Sequence, residues 1–221
     1  MTTSPTEPAR YVPALRFRSL TRFYDAVLRT TLKEDQFKER LVTQARLVPG
    51  QRVLDVGCGT GTLTLMLKAE HPDVHVVGLD GDPETLAIAR AKATERKLEV
   101  ELVEGLSYAP PLPAGSFDRV VSSLMLHHLV LADKARTLRA AFELLRPGGE
   151  LHVADWGKAQ NVVMRAAFLG VQLLDGFATT RDNVAGKLPG LMQEAGFVEV
   201  SETHREATLF GTLSLYQARR P

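Results

Sequence analysis

The chain is poor in the features that mark secreted, disulfide-rich and metal-cluster proteins. Among its 221 residues there is one cysteine, Cys58, and one tryptophan. A single cysteine excludes an internal disulfide and a metal site built from a cysteine cluster, so a reducing cytoplasm is the default compartment. Residues 1–10 are polar and contain proline, without the apolar core of a signal peptide, and this composition predicts a disordered tail.

A strong net charge and a long uninterrupted apolar run are also missing. Lys and Arg number 27 and Asp and Glu 26, so no broad electrostatic field indicates a nucleic acid or an anionic membrane. The basic run at 16–22 is interpreted as a solvated helix face, with a phosphate-bearing partner as the alternative. The most apolar stretch, 161–178, is interrupted by Arg165, Gln172 and Asp175, so no integral membrane segment is expected.

What the chain does contain is an alternation of short β-branched runs with helix-length segments. Strands are predicted at 52–56, 74–79, 98–103, 117–122 and 150–154. Helices are predicted at 19–30, 34–47, 62–70, 83–96 and 133–145. This alternation predicts an α/β fold, a Rossmann-like doubly wound sheet that is mostly parallel and covered on both faces.

The C-terminal end has a different pattern. Two extended stretches, 197–204 and 207–218, are separated only by Arg205-Glu206, which predicts a hairpin whose last strand runs antiparallel to its neighbour. We expect one domain over 11–221. Within it, 11–48 is expected to form an N-terminal helical cap and 157–190 a helical insertion over the substrate side.

A glycine-rich loop follows the first predicted strand, in V-L-D-V-G-C-G-T-G-T-L at 53–63. Its glycines, Gly57, Gly59 and Gly61, alternate, whereas a dinucleotide-binding loop has G-x-G-x-x-G and a triphosphate-binding loop ends in Gly-Lys-Ser/Thr. Asp55 also places a carboxylate where a phosphate would be repelled. The loop therefore fits neither phosphate-binding template.

A second carboxylate, Asp80, ends the next predicted strand. Because ligands of open parallel sheets bind beyond the carboxyl ends of the strands, Asp55 and Asp80 should flank one crevice. A carboxylate at the end of the second strand can accept both hydroxyls of a ribose. A ribose acceptor combined with an acid at the phosphate position predicts a nucleoside with a cationic tail, which is the pattern of S-adenosylmethionine.

On these residues the chain resembles the class I S-adenosylmethionine-dependent methyltransferases, and it is similar to the small-molecule methyltransferases of ubiquinone and menaquinone biosynthesis. The resemblance covers 47–151 by motif and the remainder by layout. The matching stretches are V-L-D-V-G-C-G-T-G, V-V-G-L-D, P-P-L-P-A-G-S-F-D-R-V-V-S-S-L-M-L-H-H-L, L-R-P-G-G-E-L-H-V-A-D and the late E-A-G-F. The sheet of this family ends in an antiparallel hairpin.

The resemblance implies a set of cofactor-binding positions. Those around the methionine part, the ribose and the adenine are Asp55, Gly57, Cys58, Gly59, Gly61, Asp80, Gly81 and Asp82. Tyr24 would close over the methionine carboxylate, unless it is an ordinary aromatic of an amphipathic helix. Leu106 replaces the family's acid for the adenine amino group, so backbone groups or the Ser107 hydroxyl would substitute. Ser123 and Leu124 would offer carbonyls to the α-ammonium.

Methyl transfer mainly needs alignment and exclusion of water, and it needs a base only if the acceptor loses a proton. His127 and His128, after the fourth strand, are the candidate bases, unless one of them packs or caps the following turn. Asp155, beside Trp156, is a second candidate that would orient the acceptor. No metal is expected, because the remaining histidines show no H-E-x-x-H spacing and Asp155 alone makes a poor magnesium site.

The segment 161–178 is apolar around most of its helical circumference, which indicates burial on more than one side. It would roof an apolar pocket, or it would pack into the core or a dimer interface. We therefore predict a cytoplasmic enzyme that methylates a small, apolar or aromatic acceptor by in-line transfer, without a nucleic-acid partner and with homo-oligomerisation left open. A non-catalytic module that binds S-adenosylmethionine or S-adenosylhomocysteine is the alternative, while Asp55 and Thr62 oppose a nicotinamide oxidoreductase.

Overall fold

The computed structural model describes residues 34–208 and 211–221, apart from the side chains of residues 34, 163, 167, 174 and 175. The predicted tail, the predicted helix at 19–30 and Tyr24 lie outside the described residues. The helices are α1 Glu34–Ala45, α2 Thr62–Glu70, α3 Pro83–Arg96, α4 Leu131–Leu144, α5 Val162–Asp175, α6 Phe177–Val184 and α7 Leu188–Glu194. The strands are β1 Arg52–Val56, β2 His75–Asp80, β3 Glu101–Glu104, β4 Phe117–Ser123, β5 Leu145–Trp156, β6 Val198–Thr208 and β7 Gly211–Arg219.

In the described part of the chain the strands form one sheet of seven, in the order β3-β2-β1-β4-β5-β7-β6. The first five pair in parallel, and β7 runs antiparallel to both β5 and β6. The predicted α/β class with an antiparallel end is confirmed. The strand order reverses between β1 and β4, so a ligand crevice is expected at their carboxyl ends.

Local sequence explains why α2 and α3 begin where they were predicted. Asp82 is the N-cap of α3, and its side chain accepts the Glu84 N–H at 2.8 Å, with Pro83 at the first helical position. Gly61 precedes α2 in the left-handed region, at φ 76°. A β-carbon added to Gly61 would lie 2.9 Å from the Ala89 β-carbon, so this glycine also lets α2 and α3 approach each other closely.

Apolar side chains cover both faces of the sheet, because neighbouring residues of a strand point to opposite sides. Leu54 and Val120 belong to the cluster on the side of α4 and α7, whereas Val53 and Val121 belong to the cluster on the side of α1 and α2. A third, smaller cluster joins α5 to the end of β5. Its buried members are Trp156, Phe168, Val171 and Val184.

The largest differences from the predicted strand limits lie in β6, β5 and β3. The predicted hairpin turn at Arg205-Glu206 is wrong, because both residues pair with β7 and β6 continues to Thr208. As an edge strand, β6 is solvated on one side and accommodates polar side chains that read as a turn. β5 begins at Leu145 instead of 150, since Leu145 pairs with Phe117 before a register shift, and β3 begins at Glu101 instead of 98.

No helix within the described residues is both long and apolar enough to cross a membrane.

Candidate functional site

The glycine-rich loop between β1 and α2 uses its N–H groups within the protein. Gly57 and Cys58 donate to the Leu79 carbonyl at 2.8 and 3.0 Å, and Gly59 donates to the Asp80 carboxylate at 2.8 Å. A loop that cradles phosphate directs such N–H groups at the anion. These hydrogen bonds instead tie the loop to β2, which agrees with the poor match to phosphate templates.

The same loop is closely packed at one glycine and open at another. Gly57 and Gly59 both have left-handed φ values, 72° and 52°. A β-carbon on Gly57 would lie 2.2 Å from Cγ of Met125, whereas one on Gly59 would meet no atom within 4 Å. The loop therefore offers free space at Gly59.

Asp80 is held rigidly at the end of β2. Its Oδ2 accepts the Gly59 N–H, and its Oδ1 accepts the Asp82 N–H at 2.9 Å and the Thr85 hydroxyl at 3.4 Å. A carboxylate has about four acceptor positions, so hydrogen-bonding capacity remains for further donors. The crevice thus presents an oriented carboxylate next to Gly81 and the start of α3, as the binding of a ribose requires.

Asp55 lies beneath the loop and is only 1% exposed. Its Oδ2 accepts the Thr64 hydroxyl at 2.7 Å. Burial raises the pKa of Asp55 to about 6, and the charge of Asp80 acts in the same direction, while Thr64 and Lys38 act against it. Neighbouring Cys58 is also buried, and burial raises the pKa of its thiol, so the thiol packs and is a poor nucleophile.

The segment after β3 contacts α4. Ser107 shares a hydrogen bond of 2.9 Å with the Thr137 hydroxyl, and the Leu106 carbonyl accepts the Ala109 N–H at 3.0 Å. The Arg136 guanidinium lies 4.0 Å from the ring centre of Tyr108. The hydroxyl expected to substitute for the adenine-binding acid is therefore engaged with α4 in this structure.

The chain turns sharply where β4 ends at the crevice. Leu124 adopts a left-handed φ of 52°, and its N–H donates to the Ala154 carbonyl at 2.8 Å. The Ser123 hydroxyl is buried and has no hydrogen-bond partner among the described residues. A strained leucine beside an unpaired hydroxyl is typical of a functional site, because such features cost stability.

His127 and Asp155 form a buried pair at the ends of β4 and β5. The His127 Nδ1 and the Asp155 Oδ1 are 2.8 Å apart, and the two residues are 4% and 0% exposed. The same Asp155 oxygen accepts the Trp156 N–H at 2.7 Å and the Asn183 amide at 3.1 Å, while Oδ2 accepts the His127 N–H at 3.3 Å. These donors hold the carboxylate and the imidazole in one orientation.

His128 differs from its neighbour. Its ring centre lies 4.0 Å from that of His127. Burial lowers the pKa of His128 well below its usual value, and nearby His127 and Lys134 act in the same direction. His128 is therefore a neutral neighbour of the His127–Asp155 pair. The structure brings two of the three predicted catalytic candidates, His127 and Asp155, into contact.

Sequence reasoning missed two residues beside this pair. Asn183, on α6, is fully buried and donates to Asp155. Lys134, on α4, is also fully buried and donates to the Thr179 carbonyl, and burial lowers its pKa. The available signal was the polar run at 179–183 inside an otherwise apolar segment, since buried polar side chains need specific partners.

No group of three His, Cys, Asp or Glu side chains in the described ranges is arranged to hold a metal ion.

The sheet order, with five parallel strands and an antiparallel pair at one end, defines a class I methyltransferase fold. Residues 53–149 match the family described as Methyltransferase domain. The chain is 30% identical over 189 residues to the uncharacterized methyltransferase sll0829 of Synechocystis sp., a match that covers 84% of each chain. It is 40% identical over 121 residues to demethylmenaquinone methyltransferase of Thermus thermophilus, which covers 55% of this chain and about half, 54%, of that relative.

Among solved structures, the S-adenosylmethionine-dependent methyltransferase SibL superimposes with a TM-score of 0.73 at 22% identity, over 93% of this chain and 60% of that one. The chain belongs to the S-adenosylmethionine-dependent methyltransferases. It is an enzyme of methyl transfer, and S-adenosylmethionine is its cofactor. Both sequence relatives are methyltransferases by name, so they give no support to the alternative of a non-catalytic binding module.

Proposed function

We propose that the enzyme methylates a small, apolar or aromatic acceptor of the quinol type. The observation that carries the proposal is the oriented His127–Asp155 pair beside the crevice. An enzyme needs such a base when its acceptor carries an ionisable hydroxyl or an acidic ring position. The name of the Thermus thermophilus relative, demethylmenaquinone methyltransferase, supports a quinone-related acceptor.

The residues at the ends of β1, β2 and β4 fit the cofactor. The Asp80 carboxylate would accept the ribose hydroxyls, with Gly81 and Asp82 flanking the adenine. The open space at Gly59 leaves room for the ligand against the backbone. Ser123 ends β4 and Leu124 follows it, and their carbonyls would receive the ammonium group. When bound, S-adenosylmethionine supplies a methyl group on a positively charged sulfur, which an acceptor atom takes by in-line displacement.

The His127–Asp155 pair would act on the proton of the acceptor. A carboxylate oxygen accepts hydrogen bonds, so the contact with Asp155 would place the imidazole proton on Nδ1. Nε2 is then the nitrogen with a lone pair and would take the acceptor proton. Asp155 would stabilise the resulting imidazolium, as carboxylates do in catalytic pairs.

The insertion at 157–190 would cover the substrate side, together with the predicted N-terminal cap at 11–48. α5 packs Phe168 and Val171 against Trp156 at the end of β5, and α6 contributes Asn183 to the catalytic pair. An apolar cover keeps water from the reacting atoms and favours a lipophilic acceptor. The cover and the His127–Asp155 pair would therefore be joined through α6.

Calorimetry with S-adenosylhomocysteine tests the cofactor assignment. Asp80→Ala is expected to weaken binding at least about tenfold, because two ribose hydroxyls lose a charged acceptor. Asp73→Ala, at an exposed aspartate before β2, is the matched control and should bind like the unaltered protein. Turnover is then measured with quinols, phenols and amines. Undiminished binding by Asp80→Ala, or no turnover of any quinol, would contradict the proposal.

A further inference from the structure

A stripe of apolar side chains lies exposed along α5. The α5 stripe consists of Val162, Ala166, Leu169 and Leu173, and the exposed fractions of its three large members are 85%, 43% and 74%. At about 100° per residue the four positions fall within about 60° of the helix circumference, over about 16 Å. The buried contacts of α5 come from a different face, through Phe168 and Val171.

The exposed apolar surface continues beyond α5. Phe177, at the start of α6, is 51% exposed, and Val130 and Leu131 at the start of α4 are 44% and 38% exposed. Lys134 of α4 donates to the Thr179 carbonyl of α6, which places these two helix starts next to each other. Clustered exposed apolar side chains are typical of an interaction surface.

Cations accompany the α5 stripe. Exposed Lys158, Arg165, Arg181 and Lys187 lie on α5, α6 and the segments next to them. Over 157–187 the sequence has two acids, Asp175 and Asp182. Buried Asp182 forms an ion pair of 2.9 Å with Lys187, so the cations that carry the argument are Lys158, Arg165 and Arg181. An apolar helix face accompanied by Lys and Arg favours an anionic lipid interface, because the apolar side chains enter the acyl boundary while the cations meet the headgroups.

The α5 stripe could in principle be covered by a second copy of the chain or by residues 1–33, and charge argues against both. In a two-fold dimer the same patch meets itself, so each cation would face its counterparts in the partner. Residues 1–33 contain six Lys and Arg against two Asp and Glu, so that segment has the same sign of charge as the surroundings of the stripe. An anionic bilayer is the partner whose charge is complementary.

We propose that the α5 stripe docks this enzyme on the surface of an anionic lipid bilayer. Docking through α5 and Phe177 would bring the mouth of the crevice to the membrane, from which a lipophilic acceptor enters directly. The net charge of the whole chain is +1, so only the local arrangement of cations reveals this surface. The acceptor pathway rests on the proposed function, whereas docking itself requires no turnover.

The test is cosedimentation of the full chain with vesicles of phosphatidylcholine alone or mixed with phosphatidylglycerol. The protein is expected to bind the mixed vesicles, and more weakly as salt is raised. Leu173→Glu should reduce the partition coefficient at least about tenfold, since it removes an inserted side chain and adds a repelled charge. The matched control is Ile88→Glu, at a 47% exposed residue of α3, which should bind like the unaltered protein.

Arg181→Gln is expected to reduce the preference for phosphatidylglycerol while S-adenosylhomocysteine binding stays unchanged, so loss of docking is separable from loss of function. Absence of vesicle binding by the unaltered protein, or equal binding by Leu173→Glu, would overturn the proposal. So would light scattering that shows a dimer dissociated by Leu173→Glu, because the stripe would then be a contact between two copies.

Discussion

At the scale of single residues, Asp55 shows how burial sets a charge. Its folded pKa of about 6 exceeds the unfolded value of 3.8, so the folded protein holds this proton more tightly. Ionising buried Asp55 lowers the free energy of unfolding. This loss is small below pH 3.8, grows as pH rises toward 6 and is complete above pH 6. A difference of about two pKa units corresponds to about 3 kcal/mol.

Asp55→Asn should therefore stabilise the ligand-free protein at high pH. We expect the free energy of unfolding to rise by about 1–3 kcal/mol at pH 8 and the gain to vanish near pH 4, because asparagine still accepts the Thr64 hydroxyl but carries no buried charge. Urea denaturation at both pH values measures this. Asp73→Asn, at an exposed position, should change neither value, and a pH-independent effect of Asp55→Asn would contradict the interpretation.

Also at this scale, we expect turnover to depend on His127 and not on the adjacent His128. His127→Gln is expected to lower turnover by about 10²–10⁴ while S-adenosylhomocysteine binds as before, because the proposed base is removed and the cofactor contacts remain. His128→Gln is the matched control and should retain turnover within a few-fold. Equal losses in both variants would show that the ring stack, and not a base, is required.

At the scale of one element, two glycines of the glycine-rich loop have different surroundings. One is packed against a side chain, and the other borders open space. Gly57 has Met125 where a side chain would be, and Gly59 has nothing within 4 Å. Both need left-handed backbone, which costs a non-glycine residue about 1–2 kcal/mol. The same substitution should therefore have different consequences at positions two residues apart.

Gly59→Ala is expected to lower the free energy of unfolding by about 1–2 kcal/mol and to weaken S-adenosylhomocysteine binding at least about tenfold, because its methyl group occupies ligand space. Gly115→Ala is the control, since Gly115 has φ 62° and equally open surroundings away from the crevice. It should show the same loss of stability and normal binding. Gly57→Ala should lose more stability than either, through its clash with Met125. Normal cofactor binding by Gly59→Ala would place the ligand elsewhere.

At the scale of the whole molecule, one side chain just after β7, that of Arg220, holds the end of α4. Arg220 donates through Nη1 to the carbonyls of Phe142 and Glu143 at the end of α4, at 2.9 and 3.1 Å, and its guanidinium lies 4.8 Å from the Phe142 ring centre. Its backbone continues the pairing of β7 with β5 through Gly149. Arg220 therefore connects the last residues of the chain to a helix end more than seventy residues earlier.

Arg220→Met should lower the free energy of unfolding by about 1–3 kcal/mol, because helix-end carbonyls lose their donor and a cation is removed from the helix C-terminus. Thermal and urea denaturation measure this. The neighbouring Arg219→Met removes only the exposed ion pair with Glu199 and should leave stability close to that of the unaltered protein. If both variants lost similar amounts of unfolding free energy, the two arginines would stabilise β7 and not the end of α4.

The sequence predicted those parts of the fold that depend on local chemistry. The limits of α2 and α3 were predicted at the observed residues because glycine and an Asp-Pro cap set them within a few residues. The β6–β7 turn was predicted too early, because polar residues on a solvated edge strand resemble a turn. The extent of β5 was also missed, since pairing of Leu145 with Phe117 is a contact between distant residues.

By itself the sequence determined the class of fold and the cofactor, because periodicity, glycine spacing and strand-end carboxylates act over short distances along the chain. It predicted that Asp55 and Asp80 flank one crevice, whereas the structure buries Asp55 beneath the glycine-rich loop. Only the tertiary structure decided that His127 rather than His128 contacts Asp155, that Asn183 and Lys134 join them, and which face of α5 stays exposed. These outcomes depend on packing between residues about thirty or more positions apart, and the same helical pattern is compatible with either face being buried.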